Sequence, residues 1–443
     1  MKPSILVLGA GRSSSSLISY LRDKEVELDW SVTVGDILFS LAPEKTSING
    51  GVIHFDIGDR ENSRKAIRSA DVVISMIPAH LHPQVATLCL EERKHLITAS
   101  YVSAEIKLLD RQTKERNLLF LNECGLDPGI DHMSAMQVLD GIKDRGGRLL
   151  SFESFTGGLI APETDPGNPW RYKFTWNPRN VVMAGQGTAR FLLDGQFKFI
   201  PYQQLFKRIA HVSIPGYGDY EGYVNRDSLK YIETYGLHGI QTMLRGTLRH
   251  QGFCAGWNVF VLMGCTDDSY SLEGIGEMTH RDFFDAFLEG DHRKSIEDKI
   301  THQFGVLPGG PEIRQLKWSG IFDTEKIGLQ EGTPAQILEH ILNKKWKLNS
   351  DDKDLVVMWH RFVYETGGRK KEIQSSLVVQ GEDDVHTAMA RTVGLPLAIA
   401  AKLLLQGKIK QRGVVIPTAK EIYQPVLSEL KSLGLEVKER SIS

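Results

Sequence analysis

The first 125 residues alternate short apolar runs with stretches in which apolar residues recur at helical spacing. Ser4 to Leu8 is such a run, stopped by Gly9-Ala10-Gly11, and Leu17, Ile18, Tyr20 and Leu21 then fall on one helix face. Further strands are predicted at Trp30 to Val34, Val52 to Phe55, Val72 to Ile77, His95 to Thr98 and Leu118 to Leu121. Helices are predicted between them at Asn62 to Ser69, Pro83 to Glu92 and Ala104 to Glu115. Pro78 ends the fourth strand, because proline has no N–H for a sheet ladder. Strands that are apolar throughout are buried on both faces. Repeated β-α units with such strands mean an α/β fold with a parallel, doubly wound sheet.

Composition narrows the function classes. Lysine plus arginine number 53 and aspartate plus glutamate 55, a net charge of −2. That balance argues against a nucleic-acid partner but leaves room for a local basic site. A length of 443 residues suggests two or three domains of roughly 100–200 residues. The longest apolar run, Leu395 to Leu405, contains Pro396 and Lys402. It falls short of the roughly 20 residues of a bilayer helix, so no membrane span is expected. The opening MKPSILVLGAG leads into a glycine motif, so no signal peptide is expected. Cys89, Cys124, Cys254 and Cys265 form no CxxC pair, which points to a reducing cytoplasm and to no structural zinc. His80 and His82, beside Pro83, read as loop residues, and no metal site is expected.

Gly9 and Gly11 stand where the first strand turns into a helix. Glycine there permits the tight turn and the approach of a dinucleotide pyrophosphate to the helix N-terminus. The usual third glycine is replaced by Ser14, and Arg12, Ser13 and Ser14 are candidate phosphate contacts. A carboxylate after the second strand binds the adenosine ribose and repels the extra phosphate of NADP. Asp36 holds that place, which favours NAD over NADP; the alternative acid, Asp29, precedes the strand. Asp56 and Ile57 follow the third strand, on the adenine side, and Ile77 and Pro78 follow the fourth, on the nicotinamide side.

From Thr98 onward the chain resembles a known family. Thr98-Ala-Ser-Tyr-Val-Ser103, Asn122-Glu-Cys-Gly-Leu-Asp-Pro-Gly-Ile-Asp-His132, Asn168-Pro-Trp-Arg-Tyr-Lys-Phe-Thr-Trp176, Asn225-Arg-Asp-Ser228 and Arg245-Gly-Thr-Leu-Arg249 resemble motifs of the L-glutamate-forming saccharopine dehydrogenases, or saccharopine reductases. Gly157 to Glu163, Thr392 to Ala398 and Gly413 to Pro417 extend the likeness over nearly the whole chain, in order.

The resemblance implies a variant Rossmann domain at 1–125 and 388–443, an α/β substrate domain at 126–273 and 348–387, and a helical insertion at 274–347. The residues fit this. Leu149 to Phe155 reads as a strand, and Val357 to Thr366 with Lys371 to Gln380 read as antiparallel strands around Gly367-Gly368. Leu397 to Gln406 reads as a helix with Pro396 near its start, a permitted position.

The resemblance also implies interconversion of saccharopine with glutamate and 2-aminoadipate 6-semialdehyde, with NAD or NADP, by a cytoplasmic homodimer. Saccharopine carries three carboxylates and two amino groups, so its site needs cations, hydrogen-bond donors and an anion. Arg226 and Arg245 are the expected carboxylate clamps, with Thr247 beside Arg245 and Lys173 as a further cation. Asp127 is the expected partner of a substrate ammonium, or the holder of a water. Ser100 and Tyr101 are placed at the junction of cofactor and substrate. Asp127 and Tyr101 are the leading catalytic groups. His132 suits a base by its ordinary pKa, yet Asp131-His132 opens the predicted helix Met133 to Lys143 as a cap would. Thr156 stands where the family often has cysteine, so no thiol there serves this chain. Two other readings are open: a dehydrogenase of another secondary amine such as carboxynorspermidine, and a non-catalytic nucleotide-binding relative.

Overall fold

A computed structural model describes residues 2–38, 51–291 and 293–442. They form two units, Met1–Arg148 with Thr366–Gly368 and Gly381–Glu439, and Leu149–Glu365 with Arg369–Gln380 and Arg440–Ser443.

The first unit is built on β1 (Ser4–Leu8), β2 (Ser31–Asp36), β3 (Gly51–His54), β4 (Val72–Ser75), β5 (His95–Thr98) and β6 (Leu119–Leu121), completed by Gly413–Val415. The order is Gly413–Val415, β6, β5, β4, β1, β2, β3, every pair parallel. Val7, Val34, Ile74, Ile97 and Phe120 are wholly buried, as apolar runs covered on both faces must be. The order reverses beside β1, between β4 and β2. Such a switch point opens a crevice at the carboxyl ends of the strands.

Several predicted boundaries move. The fourth strand stops at Ser75, so Met76 to Pro78 form the loop after it. The helix predicted over Ala104 to Glu115 is two, Ala104–Leu108 and Asp110–Glu115. The helix predicted from Leu397 begins at Ala388 and runs to Leu405, with Pro396 inside it rather than near its start. Among the described residues, this helix alone is long and apolar enough to cross a bilayer, although most of it is buried in the fold. A side-chain Cβ at Gly394 would stand 3.0 Å from Leu17 and 3.2 Å from the Ser13 carbonyl. The bare backbone of Gly394 therefore lies directly on helix Ser15–Asp23. The helix Ile130–Asp144 packs in this compact unit, which runs to Arg148. Tyr423 of helix Lys420–Ser432 donates to Asp140 at 2.5 Å and ties that helix down.

The second unit holds a mixed sheet. Its strands β7 (Arg148–Ile160), β8 (Ala189–Leu193), β9 (Gln196–Ile200), β10 (Ile209–Ile214), β11 (Gly218–Val224) and β12 (Thr242–His250) precede the long hairpin Asp354–Thr366 and Arg369–Gln380. Along the sheet the order is β10, β11, β12, β7 and then the hairpin, with β8 pairing β12 and β9. The helical stretch 274–347 is not a separate body. Phe283, Phe284, Ile313, Leu338 and Trp346 join Phe253, Trp257, Phe260 and the sheet residue Leu248 in one core. Trp170 stacks on Phe260 at 5.9 Å and meets Trp346 edge-on at 5.3 Å.

Candidate active site

In the first unit, the turn after β1 is set by Gly9, whose φ of +98° suits glycine. A Cβ there would press on the Met76–Ile77 backbone at 3.0–3.2 Å. Gly11 is exposed, and a Cβ on it would meet nothing within 4 Å, so its backbone is open to approach. Asp36 is the last residue of β2 and reaches back to this turn. Its Oδ2 accepts from the Ala10 N–H at 2.6 Å and its Oδ1 from the Leu38 N–H at 2.7 Å. An open glycine backbone at a strand-to-helix turn, with a carboxylate beside it, fits a dinucleotide.

Arg12 is exposed and Ser13 half-buried in the same turn. Ser14 is fully buried, and its hydroxyl donates to the Gly11 carbonyl at 2.7 Å. It braces the turn instead of facing a phosphate, a correction to the sequence reading. Asp56 and Ile57 follow β3, where Asp56 Oδ1 accepts from the Gly58 N–H at 2.8 Å. Ile77 is half-buried and Pro78 exposed after β4.

The loops after β5 and β6 come together. Tyr101 Oη lies 3.3 Å from Asp127 Oδ1, and Asp127 is exposed. His132 is fully buried within helix Ile130–Asp144, with Nε2 at 2.9 Å from Glu123 Oε2. Asp131 accepts from the Gly129 N–H at 2.6 Å. This pair holds the helix start internally, and His132 has no face toward solvent.

One residue passed over in the sequence carries more than expected. His82 is the first residue of helix His82–Glu91, not a loop residue, and is 2% exposed. Its Nδ1 lies 2.9 Å from Ser75 Oγ, and its Nε2 lies 2.9 Å from Ser100 Oγ. Burial, with His80 nearby, pulls its pKa down to about 4. Only spacing across a strand and a helix start could have shown this, and that is a tertiary relation.

In the second unit, Arg245, Thr247 and Arg249 alternate along β12 and so share one face of the sheet. Ser154 and Thr156 of β7 stand beside Arg245 and Thr247, and Tyr223 of β11 faces Thr247. Asn225, just past β11, donates from Nδ2 to Thr247 Oγ1 at 3.3 Å. Arg226 follows it, exposed and held at φ +52°. The Arg245 guanidinium sits over the Tyr231 ring at 4.1 Å.

Arg249 was quoted within its motif but given no role. It is 3% exposed, caged by Tyr172, Tyr223 and Phe253 at 5.0–5.8 Å, and its Nε has no hydrogen-bond partner. Among the described residues it makes no ion pair. Lys173, by contrast, is buried against Asp352 at 2.7 Å and Asp165 at 3.1 Å. Its charge is already balanced, which argues against the carboxylate role expected of it.

A pocket of about 510 Å³ lies against the opposite face, lined by Glu153, Phe155 and Leu244 among others, away from these arginines. All four cysteines are buried and unpaired. Among the described residues no group of three metal-ligating side chains occurs.

Family models of known proteins divide the chain at about residue 124, the boundary read from the sequence. The family described as the saccharopine dehydrogenase NADP binding domain matches residues 5–123, and the saccharopine dehydrogenase C-terminal domain matches 125–435. The chain is 32% identical, over the full length of both, to the saccharopine dehydrogenase [NADP(+), L-glutamate-forming] of Saccharomyces cerevisiae. It is 34% identical to the mitochondrial alpha-aminoadipic semialdehyde synthase of Mus musculus, across 98% of this chain and 47% of that protein. The chain thus spans about half the length of the animal relatives it matches. The apo structure of the yeast L-Glu-forming enzyme superposes over 100% of both chains, with a TM-score of 0.89 and 30% identity.

Proposed function

The chain belongs to the saccharopine dehydrogenase family, and from that premise we propose that it interconverts saccharopine and water with glutamate and 2-aminoadipate 6-semialdehyde. The observation that carries this reading is the pairing of Tyr101 with Asp127, 3.3 Å apart, at the carboxyl edge of the first unit's sheet. The bound nicotinamide supplies the hydride acceptor.

In the first unit, Gly9, Gly11, Arg12 and Ser13 hold the pyrophosphate, Asp36, Asp56 and Ile57 the adenosine, and Ile77, Pro78 and Ser100 the nicotinamide side. Asp127 accepts the proton of the secondary ammonium and holds the water that attacks the imine. Tyr101 keeps that carboxylate oriented through its hydroxyl. In the second unit, Arg226, Arg245 and Thr247 recognise substrate carboxylates. Arg249 joins them, because a caged guanidinium lacking a carboxylate is a site awaiting one.

The names of the nucleotide-binding family and of the yeast relative specify NADP. Asp36 places a carboxylate where a 2′-phosphate would be repelled, which favours NAD. A cytoplasmic location, supported by four unpaired thiols, and a homodimer complete the proposal.

The test is reduction of NAD and of NADP by the purified protein with saccharopine, followed by absorbance. Turnover with saccharopine is expected, faster with NAD. Turnover with carboxynorspermidine alone overturns the substrate reading. Cofactor binding without turnover of any secondary amine establishes a non-catalytic relative.

A further inference from the structure

The first unit buries a row of polar side chains at the carboxyl edge of its sheet, of which only Ser100 has a role assigned above. Ser75 ends β4, Thr98 ends β5, Ser100 follows β5, and His82 opens the helix beside them. Ser75, His82 and Thr98 are only 1–2% exposed, while Ser100 is half-buried. Besides Ser75 and Ser100, His82 meets Thr98 Oγ1, 3.2 Å from Nε2. A polar row of this kind costs free energy unless every member is satisfied, and apolar residues would pack the same space more cheaply.

The protons can be assigned from the network. Ser75 Oγ has His82 Nδ1 as its one side-chain partner among the described residues, so its hydroxyl donates and Nδ1 accepts. A neutral imidazole then carries its hydrogen on Nε2. Neutrality follows from burial, and the helix N-terminus opposes a cation in the same sense. The Nε2–H points to Ser100 Oγ at 2.9 Å, closer than Thr98. Ser100 accepts that bond and keeps its own hydrogen for its half-exposed side.

We infer that His82 is a positioning residue for the reaction, holding Ser100 as a hydrogen-bond donor toward an oxygen of the bound ligands. That oxygen belongs either to a substrate carboxylate or to the nicotinamide carboxamide. The inference rests on the saccharopine dehydrogenase reading for its assay and on the network alone for its geometry.

His82→Phe keeps the ring volume and removes both nitrogens. With saccharopine and cofactor, kcat/KM is expected to fall about tenfold in His82→Phe and in Ser100→Ala, the scale of one lost hydrogen bond. The double variant is expected to fall no further than the worse single. His82→Gln, which returns an N–H toward Ser100, is expected to recover most of the loss. A raised KM for saccharopine identifies the carboxylate, and a raised KM for the cofactor the carboxamide. Losses that multiply in the double variant, or a Gln variant as poor as Phe, overturn the inference.

If His82→Phe does not fold, Ser75→Ala replaces it in the same cycle with Ser100→Ala, and multiplying losses again overturn it. If the wild type turns over no secondary amine, the functional reading fails on its own. Calorimetric affinities of the same variants for reduced cofactor and saccharopine then decide. A weakening shared by His82→Phe and Ser100→Ala supports the positioning role, and unchanged affinities overturn it.

Discussion

A guanidinium that is 3% exposed, with rings around it and no carboxylate partner among the described residues, is costly to the folded state. Arg249→Met is therefore expected to raise the unfolding midpoint while raising the saccharopine KM more than about tenfold, the scale of a lost charged hydrogen bond. A lower midpoint with unchanged KM would mean that the aromatic cage is its whole purpose. His82 and His250 act on stability through pH. Burial is the main cause that lowers each to about 4, against about 6.5 in the unfolded chain. Between these values the unfolded state binds more protons, so stability falls as pH drops from about 6.5 toward 4. The loss approaches about 3 kcal/mol per histidine at the low end. Unfolding midpoints measured from pH 7.5 to 4.5 are expected to decline over this window, with a shallower decline in His250→Gln. A flat profile would show that both rings are protonated in the fold. At this scale the sequence named Tyr101, Asp127, Arg226 and Arg245 as candidates through their motifs, and their roles are proposals. It misplaced Lys173, Ser14 and His82, because a side chain's partner depends on what folding brings beside it.

At the scale of elements, apolar runs located all six N-terminal strands to within a few residues, and for all but the edge strand β3 burial leaves a nearly continuous pattern. The helix around Pro396 extends beyond its predicted start because that proline takes an interior place instead of its usual one at a helix start. The observed helix runs eight residues before that proline, from Ala388. Burial against helix Ser15–Asp23 outweighs the lost backbone hydrogen bond. In the glycine fingerprint the third glycine serves close packing. Here Ser14 stands in that place, and the close approach is made by Gly394 on the partner helix. Gly394→Val is expected to destabilise by about 1–3 kcal/mol through overpacking, read as a lower midpoint in thermal unfolding. An unchanged midpoint would show that the helices separate without penalty.

For the molecule as a whole, stretch 274–347, expected as an insertion, shares its core with the neighbouring sheet and lies in one compact unit with it. Charge and periodicity mark a helical stretch but do not say which core it enters. The β8–β9 hairpin leaves Phe197 65% and Phe199 55% exposed on one strand. Paired exposed aromatics of this kind suit a contact with a second copy of the chain. Light scattering at micromolar concentration is expected to give the dimer mass, and Phe197→Ser with Phe199→Ser to give the monomer. A wild-type monomer would remove the homodimer from the proposal.

The sequence by itself determined the parallel sheet, the glycine turn, the family and the motif residues proposed for its chemistry. Each of these depends on neighbours along the chain or on short patterns that survive in linear order. Only the tertiary structure decided which charges are already balanced, as in Lys173, and which are not, as in Arg249. It also decided that His82 joins Ser75 to Ser100. Burial and partnership are set by residues far apart in sequence, and no periodicity encodes them.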